Sequence, residues 1–241
     1  MTATVTAPRV RRPQGGPPLI APVLAYGALM VTAVILAAAS PQPAASAASV
    51  LAYNRSHHDV LEVAGCLGFA AALPLAIWTA TVYRRLRTGL GVTAPGAVIG
   101  LAGGLLAAAS LALTGLVTWT SAQIPAVGDP ALARALADLS FATGSAGFVA
   151  PLGLLIAGLA VPGLILGLLP RSLAWAGLVI AAVSEVSAFA LLTSALDFTF
   201  PVGRFLGLAW LIAASLVLPA RRRDARRAPW GLAPPGPAPQ A

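Results

Sequence analysis

Long uncharged stretches alternate with short polar ones along the whole chain. The clearest unit runs from Arg55 to Arg87. It opens on Arg55, His57, His58, Asp59 and Glu62, continues through 21 uncharged residues from Val63 to Tyr83, and closes on Arg84, Arg85 and Arg87. At ~1.5 Å rise per residue, such a run matches a hydrocarbon layer of ~30 Å. Similar runs occupy 19–39, 95–119, 148–169, 173–196 and 202–218. The pattern predicts an all-α, polytopic transmembrane helix bundle of about six spans: 19–39, 63–83, 95–119, 148–169, 173–196 and 202–218. Pro22 and Pro95 fall at helix starts, where a missing N–H costs little. Gly100, Gly103, Gly104 and Gly115 permit close helix approach.

The connecting segments refine this picture. Residues 40–57 read as a loop. From Pro130 to Leu169 a single helix would be ~60 Å long, twice the bilayer. The stretch is therefore divided: a short interfacial helix from Pro130 to about Phe141, capped by Asp129, then a break at Gly144-Ser145-Ala146-Gly147, then the span. Pro151 and Pro162 are expected kink sites within that span. Pro170-Arg171-Ser172 is a tight turn, and Asp197 to Pro201 a second one. The first run ends near AAAS, which resembles a signal-peptide cleavage region. Its 21 apolar residues exceed the ~7–15 of a signal core, so an uncleaved span is expected. Residues 1–18 and 220–241, rich in Pro, Gly and Arg, predict disordered tails.

Composition confirms the solvent. The chain has 241 residues, 58% hydrophobic and 9% charged, against about 25% charged in soluble domains. Its mean hydropathy is +0.86. All 15 basic residues are arginine, and the net charge is +8. Twelve of them fall in the tails or in loops on one predicted face; only Arg55, Arg134 and Arg204 fall on the other. By the positive-inside rule both termini are cytoplasmic. That placement argues against a nucleic-acid partner and for contact with anionic lipid headgroups. A bacterial cytoplasmic (inner) membrane is the expected location. Cys66 is the sole cysteine, so no internal disulfide and no Cys-based metal motif exists.

Several polar residues call for a reason. Glu185 lies twelve residues into the fifth predicted span, near mid-membrane, where an ionised acid costs at least ~2.5 kcal/mol. It should be neutral, paired or turned to a wet cavity. Arg204 opens the sixth span, ~15 Å from Glu185 along the axis, so Asp197 is its expected partner. Arg134 and Asp138, four apart, can pair on one helix face. His57, His58, Asp59 and Glu62 form a candidate metal cluster, since two imidazoles beside carboxylates can ligate a divalent ion. A plainer reading is that acids at a helix N-terminus complement its dipole. No HExxH, GxSxG, Walker or dinucleotide motif is present, so no catalytic residue is assigned and no cofactor is expected.

Three stretches, LEVAGCLGF from Leu61, ALADLSFATGSAGF from Ala135 and LLPRSLAWAGLVIAAV from Leu168, resemble bacterial integral-membrane proteins of the domain-of-unknown-function family 4386. The resemblance covers about residues 20–218. It implies a multi-helix membrane protein and carries over no site residue. Three functional classes fit these features. The favoured one is a small-molecule permease or ligand-binding membrane protein with an outward-opening polar cavity lined by Glu62, Asp138, Glu185 and Arg204. The others are a metal-dependent intramembrane enzyme and a structural or regulatory subunit that binds a protein partner or a second copy of the chain.

The topology has a direct test. Reporter fusions at residues 45, 127 and 199 should report the outer side, and fusions at residue 90 and the C-terminus the inner side. A mature chain starting after Ala39 would leave five spans.

Overall fold

The computed structural model describes residues 18–41 and 45–220; the expected basic tails lie outside them, except at Pro18 and Ala220. The protein is an all-α polytopic helix bundle. In chain order the helices are α1 (Ile20–Leu36), α2 (Ala47–Ser56), α3 (His58–Arg84), α4 (Gly96–Gln123), α5 (Pro130–Gly144), α6 (Ala146–Ile165), α7 (Arg171–Val186), the single turn α8 (Thr199–Pro201) and α9 (Gly207–Val217). A π-helical turn, Arg85–Gly89, extends α3, and another, Val202–Leu206, joins α8 to α9. Five continuous helical stretches are long and apolar enough to cross a membrane, and α1 is a shorter apolar helix.

The bundle is apolar both inside and out. Trp78, Leu75, Phe148, Leu152, Leu155, Ile156 and Leu211 are fully buried, while Leu106, Ile77, Val179 and Leu216 stand on the outer surface. Lipid tails are as apolar as these side chains, so packing quality rather than apolar burial must hold the helices together. Glycine supplies it. A Cβ on Gly65 of α3 would sit 2.5 Å from the backbone N of Trp119, and one on Gly115 of α4 would sit 2.3 Å from that of Phe69. The α4–α6 contact repeats this at Gly100 and Gly158, where the added Cβ at Gly158 would lie 2.4 Å from the Gly100 Cα. The two buried indoles are satisfied: Trp78 Nε1 donates to Ser215 Oγ at 2.8 Å, and Trp210 Nε1 donates to the Leu173 carbonyl at 2.8 Å.

Charge separates the two ends. Arg84, Arg85, Arg87 and Arg171 lie at one end, where Arg85 donates to the Leu218 carbonyl and ties the end of α3 to the end of α9. The opposite end carries Asp59, Glu62, Asp129 and Asp138 with Arg55 and Arg134. It is called the outer end below, following the arginine rule.

Three features differ from expectation. Residues 47–56 are a helix, not a loop: Ser46 caps it by accepting from the Ser49 N–H at 3.2 Å, and Val50 and Leu51 pack with Ile124 and Ala133 in a small second core. The division of 130–169 holds, with the break at Ser145 (φ −94°, ψ −99°), but α5 continues to Gly144. Asp129 caps α5 by accepting from the N–H groups of Ala131 and Leu132. The fifth span is shorter than 173–196. α7 stops at Val186, tighter 3-10 turns follow, and the chain reverses around Thr193, which is extended. Ser184 and Ser187 favour this end, because serine competes for backbone hydrogen bonds within a helix.

If α3 and α4 depend on backbone contact, Gly115→Val should be costly. Overpacking costs about 1–3 kcal/mol, and here the obstacle is main chain, so the upper end is expected as a lowered thermal midpoint in detergent. Ala102→Val, on the exposed face of α4, should leave the midpoint unchanged.

Candidate functional site

The outer half of the bundle contains a half-open cavity of about 650 Å3. Its apolar wall comes from Met30 and Val34 of α1, Leu61 and Ala64 of α3, Leu111 of α4, and Phe200 and Phe205. Its polar wall is a seam of hydroxyls between α4 and α5. Thr114 Oγ1 donates to Thr143 Oγ1 at 3.0 Å, Thr118 Oγ1 and Ser140 Oγ are 2.9 Å apart, and Ser110 Oγ donates to the Thr143 carbonyl at 3.0 Å. Above the seam, the Asn54 amide donates to the Ser121 carbonyl at 3.2 Å and ties α2 to α4. This seam is not among the features expected from the sequence. Its signal was available: Ser110, Thr114, Thr118 and Ser121, spaced 4, 4 and 3, fall on one helical face.

Arg204 also lines this cavity. It sits within the π-helical turn Val202–Leu206, an insertion that often marks functional positions. Arg204 is thirteen residues from Val217, ~20 Å from the inner end. Its Nη2 donates to the carbonyl of Gly144, the last residue of α5. The guanidinium lies 5.5 Å from the centroid of the Phe148 ring, a cation–π contact. Tyr26, fully buried in α1, is its electrostatic neighbour. Neither Arg204 Nε nor Tyr26 Oη has a hydrogen-bond partner among the described residues.

The expected Arg204–Asp197 ion pair is not formed. The ion pairs among the described residues are Arg134–Asp138 and the exposed His58–Asp59 contact. Asp197 lines the same cavity. It precedes Arg204 by seven residues, ~10 Å along a helical path, and the two side chains do not meet.

Glu185 is placed differently from the expectation. Because the chain reverses at Thr193, Ser184 packs directly on Gly203: an added Cβ there would lie 2.7 Å from Ser184 Oγ. The backbones of Glu185 and Arg204 are therefore almost level, not ~15 Å apart. Their side chains nevertheless diverge. Helical side chains lean toward their own N-terminus, and the two elements run in opposite directions. Glu185 leans inward along α6, its Oε1 at 3.2 Å from where a Gly153 Cβ would stand, and that oxygen has no partner among the described residues. Arg204 leans outward to Gly144. Glu185 does not line the cavity, and neither do Glu62 or Asp138.

Asp138 is held by Arg134 Nε, at 3.0 and 2.9 Å to its two oxygens, as the four-residue spacing predicts. Arg134 also donates to the Ala45 carbonyl. His57 turns back over α2: its ring stacks on Tyr53 at 4.2 Å and its Nδ1 lies 2.8 Å from Ser56 Oγ. His58 Nδ1 is 3.1 Å from Asp59 Oδ1. Among the described residues no group of three or more His, Cys, Asp or Glu side chains converges as a metal site. No family model matches the chain, and neither a curated protein nor a solved structure matches it.

The divergence of Glu185 and Arg204 can be measured. Groups that neither touch nor share a partner combine additively within about 0.3–0.5 kcal/mol. A double-mutant cycle of Glu185→Gln and Arg204→Lys, read by detergent unfolding, should show coupling no larger than that. A coupling of about 2 kcal/mol would mean the two side chains meet.

Proposed function

We propose that this protein is a ligand-binding membrane protein, in a bacterial cytoplasmic membrane, that takes a small amphiphilic molecule into its outer cavity. The observation that carries the reading is the coincidence of one cavity with a cation that has no ion-pair partner among the described residues: about 650 Å3 of space, walled by aliphatic and aromatic side chains, with Arg204 among its lining residues. The volume falls within the range of small-molecule sites, ~300–1,000 Å3, and such sites combine apolar walls with a few placed polar groups. Intramembrane ionisable groups are costly, which makes function the default reading for them. Two of the stretches that resemble family 4386 border this cavity, through Leu61, Ala64 and Gly68 and through Ala137, Ser140, Phe141, Gly144 and Ser145; membership of that family is part of the proposal. A passage from the cavity to the inner face would make the protein a permease, and the close α4–α6 contact at Gly100 and Gly158 supports binding over passage. The arginine-rich inner face would meet anionic headgroups, which suits its charge.

Filling the cavity tests the reading. In native mass spectrometry of the detergent-purified chain, at least one member of a twelve-carbon series (acid, alcohol, amine) should bind one to one. Ala33→Trp and Ala137→Trp, at partly exposed positions of the cavity region, should abolish binding. Ala182→Trp, exposed on α7, should not. Absence of binding by the whole series would overturn the proposal.

A further inference from the structure

We infer that the ligand is a single-chain amphiphile with a monoanionic oxyanion head, a carboxylate, and that Arg204 receives that head; this rests on the cavity being a binding site. The argument begins with the donors of Arg204. A guanidinium carries five N–H donors and no acceptor. One Nη2 donor goes to Gly144, Nη1 makes no hydrogen bond among the described residues, and Nε, also without a partner, is closed off from the open space. A carbonyl and the face of Phe148 stabilise the cation but leave its charge uncompensated. A buried unpaired charge is expensive, and charge-assisted hydrogen bonds to an oxyanion are the strong way to offset it. The planar fork of arginine suits a two-oxygen head better than a hydroxyl or an amine.

The tail follows from the rest of the wall. Phe205, Phe200, Leu111, Val34 and Met30 offer an aliphatic chain contact and offer a sugar or a nucleotide few partners. The hydroxyls of Thr114, Thr118 and Ser140 are engaged with one another or with Thr143, so they present a moderately polar edge rather than a second charge site.

The head must also coexist with Asp197. That carboxylate lines the same cavity and repels any anion entering it. With Arg204 and Asp197 both charged the cavity is neutral; a monoanion leaves one net negative charge and a dianion leaves two. This favours a carboxylate over a phosphate monoester, and it favours entry with the head directed at Arg204.

The experiment compares laurate, dodecyl phosphate, dodecanol and dodecylamine on the full chain at about pH 8.5, where a carboxylic acid is ionised. Bound fractions are read by native mass spectrometry. In wild type, laurate should bind roughly tenfold or more tighter than dodecanol, the worth of one charge-assisted hydrogen bond. Arg204→Gln should bring the two to similar affinity while dodecanol binding persists. Arg204→Lys should restore part of the preference. Asp197→Asn should strengthen laurate binding and leave dodecanol unchanged, and this variant keeps the inference testable if Arg204→Gln does not fold. Equal binding of laurate and dodecanol in wild type would overturn the role of Arg204 while leaving the cavity a binding site. Tighter binding of dodecyl phosphate than laurate would overturn the carboxylate assignment. Failure of all four to bind would remove the site itself.

Discussion

A lipid-facing backbone must satisfy its own carbonyls, and the junction at Ser145 is where this chain cannot do so alone. A helix that ends leaves its last four carbonyls without helical partners, and in hydrocarbon each such group costs several kcal/mol. The Ser145 N–H donates to the Phe141 carbonyl, Ser110 of α4 to that of Thr143, and Arg204, from another helix, to that of Gly144. Much of the outer half follows. With the junction held, α5 can leave the axis of α6 and pack with α2 through Val50, Leu51, Ile124 and Ala133. The same contact fixes the π-helical turn that presents Arg204, so the cation that secures the break also faces the space beneath it.

α4 meets α6 and α5 by different means, and the second of these borders the cavity. The α4–α6 contact at Gly100 and Gly158 brings backbones together with no room for a side chain between them. Higher up, α4 meets α5 through hydroxyls: Thr114 with Thr143, Thr118 with Ser140. Interhelical hydrogen bonds of this kind contribute only ~0.6 kcal/mol each on average, but they hold helices at side-chain distance instead of backbone distance. An opening of useful volume can exist where helices are held at that distance, and the cavity lies along this seam.

The fold was legible to the extent that it obeys solvent and length. The apolar runs predict the membrane bundle, the excess length of 130–169 predicts the break, and Asp129-Pro130 predicts the start of α5. α2 escaped because its Ala- and Ser-rich sequence has no strong apolar face and takes its stability from α5. The reversal at Thr193 escaped because Asp197 and Pro201 look like a turn, whereas those residues lie at the start of the returning helix. From that one misplacement came the expected ~15 Å gap between Glu185 and Arg204 and the expected Arg204–Asp197 pair. The candidate site was legible only as residue types. Arg204 and Asp197 do border one cavity, but Glu62, Asp138 and Glu185 do not. Periodicity assigns a face to a residue on its own helix, and it does not say which neighbouring helix that face will meet.

Glu185 and Arg204 show how an acid and an arginine can sit at one level in a membrane protein without pairing. Their backbones are level, as the Ser184–Gly203 contact requires. Opposite chain directions then send one carboxyl group inward and one guanidinium outward. Along α6 their neighbours are Gly153 and Phe148, five residues or ~7.5 Å apart. Had the two helices run parallel, both side chains would lean the same way, and an internal ion pair would satisfy Arg204. The antiparallel hairpin instead keeps the cation available on the cavity side. In this chain the availability of a charge is therefore a property of topology as much as of the residue that carries it.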